Sequence, residues 1–345
     1  MPSDESFTAL LCTRTWRFGH ESGPTIATEL SFGPNGVLQG HASNDHLAWR
    51  LENGALEILD AYGKPSARFA ETVRSPSGTL ELRGHSLHAP QPALVLRESA
   101  KPPPAPPKPV ARRNLVLMRA GDHALFPFWR ASESRTWDLA VSCYGEGTPD
   151  WGQDYFVAEK GPKWRPIHRW VTANSQWLDQ YDYFWFPDDD IMTDWQTVET
   201  LFALCRRYRL QLAQAALTPE SHIWHAVTRR QPGALLRYTN FVESMVPVLS
   251  APALRLCLPV LAEDSRFGWG IDWVMPKLLG YPPAGIAIVD ACAVTHTRPA
   301  RINTDTAAAD AELRLLTGKY GVTFADHRVL GCIFGKPQPA DVALP

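Results

Sequence analysis

Three consecutive carboxylates, Asp188, Asp189 and Asp190, close an apolar run that reads YDYFWFPDDDI over residues 181–191. In extended geometry alternate side chains share a face, so Asp188 and Asp190 are expected to point one way and Asp189 the other. Two carboxylates on one face repel each other unless a cation or a proton lies between them. Between residues 170 and 205 the chain has no Lys or Arg, yet that span also carries Asp179, Asp182, Asp194 and Glu199. Neutralisation must come from a distant basic residue folding over the triplet or from a metal ion. Carboxylate oxygens suit hard cations, Mg²⁺ or Mn²⁺, which keep several waters and bridge to substrate phosphates. A solvated acidic turn is the plainer alternative, and the buried strand in front of the triplet argues against it.

Three further segments carry chemistry. Residues 286–296, IAIVDACAVTH, read as a buried strand that delivers Asp290 and then His296. Neutral imidazole is a good ligand for Mn²⁺-type metals, though a lone His is more often an ordinary core or surface residue. Residues 267–272, FGWGID, set Gly268 and Gly270 on either side of Trp269, which permits close backbone approach beside a flat indole. Asp272 follows at the start of a helix, where it serves as an N-cap, as a general base beside a sugar-lined cleft, or as both. Residues 241–250, FVESMVPVLS, read as a strand with Glu243 as its one charge. A buried carboxylate needs a partner. Arg229, Arg230 or Arg237 would supply a structural one; binding or deprotonating an acceptor hydroxyl is the functional alternative.

The elements that must hold these residues alternate between strand and helix after about residue 111. Strands are expected at 113–119, 137–143, 181–186, 211–215, 241–249 and 286–294, with helices at 164–179, 194–209 and 251–262. This is an α/β pattern with a mixed, mostly parallel sheet and flanking helices, in which ligands bind at the carboxyl ends of the strands. Before it, residues 1–100 read as short alternating strands with Asn35-Gly36 and Asn53-Gly54 turns, a small all-β sandwich or barrel module. A turn leading into a buried Trp49 explains Asn44, Asp45 and His46 better than a ligand surface does. Residues 101–109, KPPPAPPKP, favour an extended spacer, so the expected division is a β module at 1–100, a linker at 101–110 and a catalytic domain at 111–345.

Composition narrows the class. With 45% hydrophobic residues, 20% charged residues and a net charge of −2, the chain is expected to fold and not to bind nucleic acid or anionic membrane by bulk charge. No apolar run is long enough for a transmembrane segment. The amino terminus lacks a secretory pattern, and six dispersed cysteines show no metal spacing, so a reducing cytoplasm is the expected setting.

The segments YDYFWFPDDDI, QLAQAALTPESHIWHAVTRR, FVESMVPVLS, FGWGIDW and AIVDACAVTHTRP, in this order, resemble the family catalogued as domain of unknown function 707 (DUF707). Its members are GT-A-like glycosyltransferases by sequence, abundant in plants and scattered in bacteria. The resemblance covers most of residues 112–300 and leaves out the β module. It implies a GT-A fold whose acidic motif holds a divalent metal on the donor diphosphate. Carried over residue by residue, Asp190 and His296 would bind metal, and Asp188 would bind metal through water or contact the donor. Asp189 joins Asp188 on the donor side; relatives often have Glu at its place. Asp272 stands where inverting enzymes of this kind keep their base, with Glu243 as the other candidate. Arg119 and Gly121, after the first strand, would line the nucleotide pocket, and Trp269 with Gly270 the acceptor or sugar site.

The expected activity is metal-dependent transfer of a sugar from a nucleotide-sugar donor to a carbohydrate or glycoconjugate acceptor, using Mn²⁺ or Mg²⁺. A non-catalytic glycan-binding or assembly scaffold on the same frame is the runner-up. A two-metal hydrolase or nucleotidyltransferase is a third reading, weakened because only one His follows the triplet and no HxH or HD pair appears.

Overall fold

The computed structural model describes residues 4–33, 36, 38–41, 43, 45–46, 48–60, 63–74, 78–88, 93–99, 112–126, 135–147, 152–263, 265–299, 305–335 and 337. The proline-rich linker, Asn35 and Asn44 lie outside the described residues. Two compact units are present. One comprises Met1–Lys108, Leu125–Ser134 and Met192–Trp195; the other comprises Pro109–Ala124, Arg135–Ile191 and Gln196–Pro345.

In the first unit a helix, α1 (Asp4–Cys12), precedes β1 (Thr15–His20), β2 (Thr25–Phe32), β3 (Leu38–Gln39), β4 (Ala48–Glu52), β5 (Ala55–Leu59), β6 (Pro65–Arg74), β7 (Leu80–Ser86) and β8 (Leu94–Glu98). The strands form one sheet in the order β3-β2-β1-β8-β7-β6-β5-β4, antiparallel throughout. The β4–β5 turn has Asn53 at φ 51° and Gly54 at φ 74°, the two positive angles of a type I′ turn. The sheet curls until the far ends of its strand order meet. The Phe32 ring of β2 lies 5.5 Å from that of Trp49 in β4, and the Trp49 main-chain and indole N–H groups donate to Gly36 O (2.8 Å) and Gly33 O (2.9 Å). Trp16, Phe18, Leu30, Leu56, Ile58, Leu82 and Leu96 fill the interior. Trp49 is thus a core residue.

The second unit holds β9 (Asn114–Ala120), β10 (Trp137–Cys143), β11 (Tyr155–Ala158), β12 (Tyr183–Trp185), β13 (Ile191–Met192), β14 (Leu212–Leu217), β15 (Ala234–Thr239), β16 (Pro247–Ser250), β17 (Ile286–His296) and β18 (Val329–Phe334). Its helices are α2 (Trp164–Ala173), α3 (Trp177–Gln180), α4 (Trp195–Arg207), α5 (Ala251–Leu261), α6 (Ile271–Leu278) and α7 (Thr306–Lys319). The strand order is β11-β10-β9-β12-β16-β14-β17-β15-β18, with β13 paired to β17. Along this nine-strand path, among the described residues, four pairings are parallel and four antiparallel, so the expected mostly parallel sheet is a mixed one. Two antiparallel pairings belong to β16, which reaches its place between β12 and β14 through a loop and not through a crossover helix, and two to β15, antiparallel to β17 and β18. The strand expected at 241–249 is correspondingly short. Residues 241–246 are loop, and the Glu243 N–H donates to the Gln214 side-chain oxygen (2.7 Å) instead of to a neighbouring strand. The helix expected at 164–179 breaks at Asn174, whose side-chain amide turns back to Trp170 O (2.9 Å).

β9, β10 and β14 are buried at every position, as strands covered on both faces are. Through the pairings above, β9, β10, β12, β14 and β17 run in one direction. Their carboxyl ends therefore share an edge, which gathers Gly121, residues 186–190, Thr218 and His296. Away from that edge, Asp290 of β17 accepts both Nε and Nη2 of Arg237 in β15 at 2.9 Å, with both side chains buried. Arg237 is therefore spent on Asp290 rather than on Glu243.

Candidate active site

A cleft of about 680 Å³ opens at this edge of the second unit. It is lined by Asp188, Asp190, Glu243, Trp269, Gly270, Asp272 and His296, together with Lys163, Trp164, His222, Trp224 and Trp273. Volume, convergent acids and aromatic walls suit a small-molecule site. Distant segments meet here because each follows the carboxyl end of a strand or opens a helix.

The aspartate triplet splits at a turn: β12 ends at Trp185, and Asp189 and Asp190 lie in the turn that leads into β13. Asp189 turns away from Asp188 and Asp190. Its Oδ2 accepts the Gly121 N–H (2.8 Å) and the Tyr144 hydroxyl (2.7 Å), and its Oδ1 faces Arg298 (3.3 Å). Asp188 Oδ1 accepts from Lys163 Nζ at 2.6 Å. Burial pushes the Asp188 carboxyl up; the Lys163 charge opposes this and the Asp190 charge adds to it. The same burial pushes the Lys163 ammonium down against the pull of Asp188. Basic residues from outside the Lys/Arg-free span have thus folded over two of the three acids.

Asp190 is held differently. Its Oδ2 lies 3.2 Å from His296 Nε2, while its buried Oδ1 has no hydrogen-bond partner among the described residues. The other ring nitrogen of His296, Nδ1, meets His222 O at 2.9 Å, which fixes the ring plane. Burial alone would lower the His296 pKa, but the bond and charge of Asp190 push it up to about 9.

Glu243 and Asp272 supply the acid–base character. Burial, with the charge of Asp272 added, pushes Glu243 up to about 8, and its Oε2 is buried without a partner. Asp272 sits in the first turn of α6 and accepts the Trp273 N–H at 3.0 Å. Burial pushes it up to about 7, against main-chain hydrogen bonds from Trp273, Gly270 and its own N–H. A carboxyl titrating near neutrality can take a proton at physiological pH. The N-cap position itself belongs to Gly270, at φ 97°. Gly268 is at φ 76°, and a Cβ there would lie 2.9 Å from the Trp164 indole nitrogen, so the FGWG segment is tightly set against that ring.

Arg119 and Gly121 have other partners. Arg119 is buried and donates to Ser142 Oγ (2.7 Å) and Gly161 O (2.8 Å), and Gly121 donates to Asp189. The Arg230 N–H serves the main chain, donating to Leu217 O (2.8 Å). Lys163, His222 and Trp224 belong to the cleft and escaped the sequence reading. Lys163 is one of several basic residues ahead of α2, and only the start of that helix aims it inward. Trp224, 53% exposed in the cleft wall, sits in a segment without periodic pattern.

Among the described residues, no group of three or more His, Cys, Asp or Glu side chains is closed up as a cation cage. A partial foothold is present. The unpartnered Oδ1 of Asp190 and the back-anchored imidazole of His296 are the donor types that Mn²⁺ or Mg²⁺ accept, and such ions take much of their shell from water and phosphate. The residues fit a divalent ion to that extent.

Residues 155–323 match the family described as Protein of unknown function (DUF707). That region contains every cleft residue named above, whereas Arg119, Gly121 and Tyr144 precede it. No curated protein matches the chain. Among solved structures, S. aureus TarS 1-349 in complex with UDP-GlcNAc is similar at TM-score 0.39 and 10% identity, over 62% of this chain and 68% of that one. A second crystal structure of S. aureus TarS 1-349 gives TM-score 0.36 and 10% identity, over 60% and 71%. At such values the likeness is too loose to argue from, and the DUF707 region must be read from its own geometry.

Proposed function

We propose that this protein is a glycosyltransferase on a GT-A-type frame, moving a sugar from a nucleoside-diphosphate donor to a hydroxyl of a carbohydrate or glycoconjugate acceptor with Mn²⁺ or Mg²⁺. The observation that carries this reading is one cleft in which Asp190 and His296 meet at strand ends opposite two acids, Glu243 and Asp272, whose pKa values are raised toward neutrality.

In this reading Asp272 takes the acceptor's proton as its oxygen bonds to the anomeric carbon and the bond from that carbon to the diphosphate breaks. Glu243, protonated at neutral pH, offers a hydrogen bond to the acceptor. Asp190 and His296 would hold the metal. The ion, when bound, stabilises the negative charge of the departing diphosphate. Trp269 and Trp224 present flat apolar faces of the kind sugar rings stack on. Asp189 shapes the site from behind by fixing Gly121 and Tyr144.

Among the described residues, no helix is long and apolar enough to cross a membrane. We place the enzyme in a reducing compartment, the cytoplasm, on its buried free thiols Cys143, Cys205 and Cys257. The test of function is a donor screen with purified protein, with and without Mn²⁺, following release of free nucleoside diphosphate. Release from one donor class that requires Mn²⁺ and Asp272 supports the reading; no release from any donor, with or without candidate acceptors, counts against it.

A further inference from the structure

Lys163 stands immediately before α2, and its side chain enters the cleft. Its ammonium has three donors, and three acceptors meet it: Asp188 Oδ1 at 2.6 Å, Ser244 O at 3.0 Å and Met245 O at 3.0 Å. The Trp164 ring, 4.8 Å from Nζ, backs it. Two of the three acceptors are main-chain carbonyls, so the position is built into the fold and not a chance surface pairing. The Lys163 side chain is 17% exposed and that of Asp188 is 37% exposed, so the carboxylate remains open to the cleft on its far side.

An ammonium and a divalent ion compete for one carboxylate, because each raises the cost of placing the other. While Lys163 holds Asp188 Oδ1, a metal at Asp190 and His296 gains Asp188 only against the charge of the ammonium. An anionic diphosphate replaces the carboxylate as the ammonium's charged partner, while the cation takes over Asp188. We propose that Lys163 is a resident competitor of the divalent cation: it keeps Asp188 from the metal until the donor's diphosphate draws the ammonium away. This rests on the metal reading given above. Cation and nucleotide then help each other bind, reciprocally, because Lys163 gives up to the one the carboxylate it leaves for the other.

The test uses the full chain and Mn²⁺ alone as probe, with bound ion counted by electron paramagnetic resonance. Lys163→Met is expected to bind Mn²⁺ about tenfold more tightly than the wild type. Adding Asp188→Asn to that variant is expected to remove the gain. UDP, GDP, CDP or dTDP, whichever the wild type binds, is expected to tighten Mn²⁺ binding in both forms, by a larger factor in the wild type than in Lys163→Met. A Lys163→Met protein with a wild-type circular dichroism spectrum and no tighter Mn²⁺ binding overturns the proposal alone. So does a double variant that keeps the gain, which would trace the effect to the loosened 243–246 loop. Absence of Mn²⁺ binding in every form, with nucleotide present, overturns the metal reading and this proposal together.

Discussion

His296 Nε2 lies 3.2 Å from Asp190 Oδ2, although two strands, β16 and β14, separate β12 from β17 in the sheet. The pair is braced from both sides. The His222 carbonyl holds His296 Nδ1, and the Thr297 N–H and hydroxyl donate to the Asp190 carbonyl at 3.1 and 2.9 Å. Residues this firmly placed at strand ends are positioned for binding, and their replacement should change the site without changing the fold.

Asp190→Ala should weaken Mn²⁺ binding and slow nucleoside-diphosphate release by about 10²–10³-fold, the usual cost of removing a group that stabilises developing charge. Far-ultraviolet circular dichroism should be unchanged. Wild-type Mn²⁺ affinity in the variant would remove Asp190 from the metal site.

Asp272→Asn should lower turnover by about 10²–10⁴-fold while leaving nucleotide affinity nearly intact. The wild-type rate should rise with pH through about 7 as Asp272 loses its proton, and the residual rate of the variant should lack that limb. A pH–rate profile that keeps the limb in Asp272→Asn would transfer the base role elsewhere, with Glu243 as the next candidate.

Glu243→Gln should stabilise the protein in a pH-dependent way. Folded Glu243 holds its proton up to about pH 8, whereas the unfolded chain releases it near the ordinary glutamate value of about 4.3. In that window the folded state binds more protons, so stability falls as pH rises. The glutamine carries no such dependence. The melting temperature of the variant should match the wild type near pH 4.5 and exceed it at pH 8, by about 2–4 °C per kcal/mol recovered. An equal difference at both pH values would show that the carboxyl is not buried against its charge.

Asp290→Ala should cost about 3–5 kcal/mol, since it leaves the buried Arg237 guanidinium without its charge partner. Equilibrium urea unfolding measures this. A loss below 1 kcal/mol would mean that water reaches the pair.

Much of this site was legible in the sequence because its signals were local. An apolar run closing in three acids marks a strand end, and Asp189 does face away from its neighbours, onto Gly121 and Tyr144, but a turn at Asp189 and Asp190 sets this and not strand alternation. What was not legible depends on contacts between segments far apart. FVESMVP looks extended because it is apolar, yet Glu243 takes its main-chain partner from the Gln214 side chain, which no local pattern announces. Lys163 could not be told from Lys160, Arg165 or Arg169 without knowing where α2 begins. The place of β16 between β12 and β14, which supplies two of the four antiparallel pairings, follows from the same loop.

The central claim, a cleft that grips a nucleoside diphosphate through a divalent ion, is tested most directly by calorimetric titration of the wild-type chain with UDP, GDP, CDP and dTDP, with and without Mn²⁺. One nucleotide binding at micromolar concentration only when Mn²⁺ is present, and losing that binding in Asp190→Ala, is the predicted result. No heat from any of the four with Mn²⁺ present, or binding indifferent to both Mn²⁺ and Asp190, would contradict it.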